Sequence, residues 1–271
     1  MGSDAEIYVF DYRRYRGEVV PALLDLLRGG EPGGYLTAFV RDTVTGHRLD
    51  FGSRWPEISG RLRGEPARWC RLLGDDLRFS GVHRAGRDLI CPDGALCALH
   101  RDPDGLENLN VLFEALVCSR CLDRPQFIGR GFDPYDYWPL LDAFGVPAGD
   151  RVRRLLSMLC SRGAILGYPA GATEGVHGWL TEPETAELAH RLSALPLPQF
   201  EATYPAMRDL HYASLIRTAR ARLGEYDDGP GWTELSLSFV RTVATVAAAE
   251  GRAVLWGNDV GYDHWIDHFL D

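Results

Sequence analysis

The sequence predicts a helix-rich α+β fold built around a small central sheet. Three short apolar runs, near 6–10, 164–168 and 252–256, read as its strands. Helical apolar periodicity fills much of the rest, and strands and helices do not alternate regularly. The whole chain, 1–271, reads as a single globular domain with a cysteine-containing subregion at 88–124.

Glu6–Phe10 is apolar enough for a buried strand. Val19, Val20, Leu23, Leu24 and Leu27 then mark a helix that stops at Gly29 and Gly30. Residues 35–74 read as helical pieces broken at Pro56 and Pro66, and 75–99 as two or three small strands. Asp104 reads as the N-cap of a helix to about Asp123, with Leu109, Leu112, Phe113 and Leu116 on one face. Residues 124–134 read as a loop, followed by helices over 135–144 and 150–162. After the run Ala164–Tyr168, glycines 171, 175 and 178 suggest a loop. Thr181-x-x-Glu184 is a capping box that opens the next helix. Helices over 205–223 and 233–250, the last strand and a terminal helix from Gly261 complete the chain.

Composition excludes more than it suggests. All 29 basic residues are arginine. Without lysine there is no P-loop, no kinase β3 lysine and no Schiff base for pyridoxal. The hydrolase elbow Gly-x-Ser-x-Gly, His-Glu-x-x-His and Gly-x-Gly-x-x-Gly are missing as well. A net charge of −9 disfavours nucleic acid, whose affinity rests on phosphate neutralisation. No apolar stretch is long enough for a membrane span, and the N-terminus reads as neither signal peptide nor myristoylation site. A cytoplasmic protein is the expectation. From Glu225 onward nine acids face only Arg241 and Arg252, which suits a basic protein partner.

Three sets of residues are candidates for chemistry or binding. Cys91, Cys97, Cys118 and Cys121 form two close pairs that could supply four thiolates to a structural zinc, with thiols packed as small core residues the competing reading. Asp11, Glu174, His177, Asn258 and Asp259 follow the three expected strands, with His264 close behind. Parallel strands would bring them to one edge, where carboxylates and imidazoles do acid–base work or hold a divalent metal. Taken one by one, Asp11 and Asp259 also suit helix caps, and Glu174 and His177 exposed loop positions. Arg130, Asp133, Tyr135 and Trp138 lie in an aromatic segment of the kind that dominates binding surfaces, although Tyr135 and Trp138 at i and i+3 equally suit a core.

Two local patterns invite comparison with known families. A first strand ending in Asp11, with Gly257-Asn258-Asp259 and Asp263 late in the chain, resembles the haloacid-dehalogenase phosphatases. That family has a second aspartate two places on, where this chain has Arg13, so its general acid is missing. His264-Trp-Ile-Asp267-His268 resembles an inverted zincin helix with aspartate for glutamate, but only three residues follow it.

Two functions follow from these features. The first is a non-catalytic protein that binds a basic partner or a small molecule, of regulatory or toxin-immunity type. The second is a metal-dependent hydrolase or biosynthetic enzyme using the strand-end carboxylates and His177. The absence of every complete catalytic motif favours binding.

Overall fold

A computed structural model describes residues 4–29, 33–39, 77, 83–85, 88–90, 103–162, 175–198 and 231–260. In chain order the elements are β1 (Asp4–Phe10), a helical turn with a π turn at Tyr15–Val19, and α1 (Val20–Gly29). A helical stretch at 34–39, β2 (His83–Ala85) and β3 (Asp88–Ile90) follow. Then come α2 (Pro103–Cys121), β4 (Leu122–Arg130), a 3-10 turn Pro134–Tyr137, α3 (Trp138–Ala143) and α4 (Arg151–Ser161). The last are β5 (Gly175–Trp179), α5 (Glu182–Ser193), α6 (Trp232–Ala249) and β6 (Ala253–Asn258). The expected helix-rich α+β class is the class observed.

These elements form two compact units. The larger holds β1, β4, β5 and β6 with α3 to α6. Its sheet runs β4-β1-β6-β5, and every neighbouring pair is antiparallel. Alternate residues of a strand face opposite sides, so Ala5, Ile7 and Val9 of β1 share a face with Val254 and Trp256 of β6. That face joins a continuous apolar core with Leu155, Leu159, Leu188, Leu192, Val240 and Val243 of the helices. Burying residues of this size contributes about 1.5–3 kcal/mol each, so this core is the main stabilising element of the unit.

Local chemistry explains the helix starts. Asp150 accepts a hydrogen bond from the Val152 N–H at 2.8 Å and begins α4. At α5 the expected box is present, and the Glu184 carboxylate accepts from both the N–H and the hydroxyl of Thr181 at 2.9 Å. Ser236 and Ser238 are fully buried on α6 and donate their hydroxyls to the carbonyls of Thr233 and Glu234.

The smaller unit contains α1, α2 and the β2–β3 hairpin, in which His83 pairs with Ile90 and Ala85 with Asp88. Tyr15 packs edge-on against Phe113 at 6.2 Å, and Leu112, Leu116 and Val117 are buried on α2. Arg120 lies over the Phe39 ring at 5.8 Å.

The structure corrects the sequence reading at several places. Residues 122–130, expected as helix end and loop, form β4, which pairs with β1 along its length. Asp104 lies inside the first turn of α2, which begins at Pro103, and so is not its N-cap. Residues 175–179, expected as loop, form β5. The expected strand 164–168 and the helices over 205–223 and from 261 lie outside the described residues. The parallel arrangement that would gather the strand-end residues is not adopted. β1 and β6 run in opposite directions.

Candidate functional site

Antiparallel pairing separates the residues that parallel strands would have brought together. Phe10 pairs with Ala253 and Ala5 with Asn258, so Asp11 and Asp259 leave the sheet at opposite ends. Six residue steps of strand separate these ends, about 20 Å. Asp11 lies beside Arg252 at 3.8 Å, and Arg252 also pairs with Asp123 at 3.4 Å. This cluster ties the end of β1 to the starts of β4 and β6.

At the other end Asp259 closes a loop. Its Oδ1 accepts from the Asp4 N–H at 2.9 Å, while its own N–H donates to the Asp4 carbonyl at 2.9 Å. Its φ of +49° is a left-handed conformation that aspartate tolerates better than most residues. Asp259 is therefore an anchor for the first residue of β1. Asn258 is buried beside it, and the Arg130 backbone pairs with Asp4 at this same end. Glu174 and His264 lie outside the described residues.

His177 is a strand residue. The β5–β6 register slips between Val176 and Gly178, which places His177 in the irregularity. Its Nε2 is buried without a hydrogen-bond partner, and burial lowers its pKa to about 4.

The segment after β4 is built differently. Asp133 accepts from the Tyr135 N–H at 2.6 Å, and Asp136 accepts from the Asp133 N–H at 2.8 Å. The two carboxylates form a reciprocal capping box at the turn Pro134–Tyr137, and burial raises the Asp133 pKa. The turn fixes two aromatic residues. Tyr135 meets Trp138 edge-on at 5.3 Å, and the Arg153 guanidinium lies 5.5 Å from the Trp138 ring centre. Arg153 is held in turn by the Asp142 carboxylate and by the Val146 carbonyl at 2.8 Å. Tyr137 is fully buried, and its ring meets Phe132 at a tilt, 5.1 Å between centres.

Tyr135 is nonetheless 45% exposed, the large hydrophobic side chain left open among the described residues. Beneath it, Cys160 has its pKa pushed up to about 12, by burial and then by Asp133 and Asp136, so the thiol stays protonated. No protein-family model matches the chain, and no curated protein or solved structure does.

The four expected zinc ligands are only half placed. Cys118 and Cys121 occupy the last turn of α2, Cys121 is buried, and neither is in a disulfide. Cys91 and Cys97 lie outside the described residues. Among the described residues, no three His, Cys, Asp or Glu side chains are grouped to hold a metal. Among the described residues, too, no helix is long and apolar enough to cross a membrane.

Arg153 and the Asp133–Asp136 box are the features that sequence reasoning missed. Arg153 is nineteen places beyond the Pro134 that opens the turn, and nothing in the spacing links them. The box was legible in Asp133-x-x-Asp136, a shortened form of the pattern recognised at Thr181.

Proposed function

We propose that this protein is a non-catalytic binding protein of regulatory or toxin-immunity type, acting in the cytoplasm, and that Tyr135 on Trp138 forms its contact ledge. One observation carries the reading: an exposed aromatic side chain stands edge-on against Trp138 on a turn fixed by a reciprocal capping box. Aromatic side chains add large contact area with few rotatable bonds. Holding Tyr135 in advance removes part of the ordering cost of association. The net charge of −9 favours a basic protein partner over a small molecule.

The enzymatic alternative used Asp11, Glu174, His177, Asp259 and His264 together. It gains nothing from an Asp11 about 20 Å from Asp259, or from an Asp259 carboxylate occupied by a backbone N–H. A structural zinc on the four cysteines is compatible with the binding reading and would be tested by metal content.

The experiment is site-specific photo-crosslinking in the source cells. A photoreactive phenylalanine analogue at position 135 should yield one discrete adduct. The same probe at Ala143, exposed on α3, should yield none. Equal labelling from both positions, or none from either, would overturn the ledge.

A further inference from the structure

β5 is an outer strand of the sheet among the described strands, and it carries an imidazole nitrogen buried without a partner. The strand has little freedom to relieve this. A Cβ on Gly178 would come within 2.3 Å of the Met158 carbonyl and 2.7 Å of the Leu159 carbonyl, so the α4 backbone sits directly on β5.

The ionisable groups of the neighbouring elements are engaged elsewhere. On α4, Arg151 pairs with Glu187, Arg153 with Asp142, and Cys160 lies against Tyr135, while Arg154 is exposed. Arg162, at the end of α4, pairs with Glu184 and reaches the Trp179 carbonyl at 3.4 Å. β6 has no ionisable side chain, and the Asp259 that follows it accepts from Asp4. Among the described residues no carboxylate compensates a charge on His177, and burial lowers its pKa.

We propose that Gly175–Trp179 is a proton-operated edge of the sheet: charging His177 detaches β5 from β6 while β4, β1 and β6 stay paired. A neutral imidazole tolerates burial, whereas an imidazolium requires water or an anion. Releasing one five-residue outer strand exposes His177 at the loss of a single ladder, a smaller opening than unfolding the unit.

The sign follows from the two states. The attached imidazole has its pKa lowered to about 4, against 6.5 when exposed. The detached strand therefore binds the proton more tightly. Attachment is strongest above pH 6.5 and weakens as the pH falls, levelling off near 4. From pH 8 to pH 5 the detachment equilibrium should grow about 30-fold.

Amide hydrogen exchange resolved to single residues tests this on the full chain. After correction for intrinsic exchange rates, protection at Val176–Trp179 should fall about 30-fold between pH 8 and pH 5. Protection along β1 should change far less. In His177→Gln the pH-dependent loss at β5 should vanish, and His177→Leu offers a second non-titrating side chain. Two results would overturn the proposal: a wild-type His177 imidazole that titrates near 6.5 by NMR, or a loss of protection that persists in a folded variant or spreads equally to β1. The NMR titration decides the matter even if neither variant folds.

Discussion

The turn at Pro134–Tyr137 and strand β5 both carry polar side chains beside the core, and they accommodate them in different ways. In the turn, each carboxylate finds a backbone N–H, and Arg153 finds a carboxylate, a carbonyl and a ring face, leaving its buried Nε without a partner. In β5, the His177 Nε2 finds nothing. A buried polar group without a partner costs about 1–3 kcal/mol relative to a satisfied one. The turn is thus a rigid platform that can leave Tyr135 exposed without losing its position. The strand holds a neutral imidazole only while the pH keeps it neutral. In the proposed reading, binding belongs to the first region and sensitivity to pH to the second.

The largest expected effect breaks the strand side of that comparison. Gly178→Ala forces a methyl group against two main-chain carbonyls, which cannot rotate away as a side chain could. It should destabilise the protein by about 3 kcal/mol, seen as a lower midpoint in urea. Unchanged stability would mean that β5 already yields to α4, and the strand would not be held as described.

A smaller effect is expected where β5 meets α5. Burial raises the Glu184 pKa, but pairing with Arg162 and then the bonds from Thr181 outweigh it and draw the pKa down to about 2. A depressed carboxylate contributes stability that is present above its unfolded value of about 4.5 and lost as the pH falls toward 2. Glu184→Gln should therefore cost about 1–2 kcal/mol at pH 7, after allowing for solvent screening of a partly exposed pair. It should cost almost nothing at pH 2. A deficit of the same size at both pH values would remove the ion pair from the account.

The smallest stability effect belongs to the ledge. Tyr135→Ala removes a half-exposed ring and its edge contact with Trp138 from a turn whose capping bonds are made by backbone and aspartates, so stability should change by no more than about 1 kcal/mol. Thermal melts would check this. A large loss would show that Tyr135 is packing the core and is not a contact residue.

Legibility in the sequence followed how local each determinant is. β1, β6, α6 and the box at Thr181 were readable because apolar runs and capping pairs lie within a few residues of one another. β4 was not, since Asp123 reads as a helix end and Arg124-Pro125 as loop, and only pairing with β1 makes the segment a strand. Proline is tolerated there because β4 is an outer strand among those described. β5 was hidden by its glycines. Gly178 lowers strand propensity, yet close approach of α4 requires it. Strand direction was the costliest omission, because it depends on contacts between residues some 250 positions apart, and it alone decides whether Asp11 and Asp259 meet.

The ledge is the central claim, and the affinity of the partner captured from position 135 tests it most directly. Measured at about 0.15 M salt, where exposed charges act over only some 8 Å, Tyr135→Ala should bind at least about tenfold more weakly than wild type while melting at nearly the same temperature. Equal affinity for the two proteins would contradict the claim and place the contact surface elsewhere on the molecule.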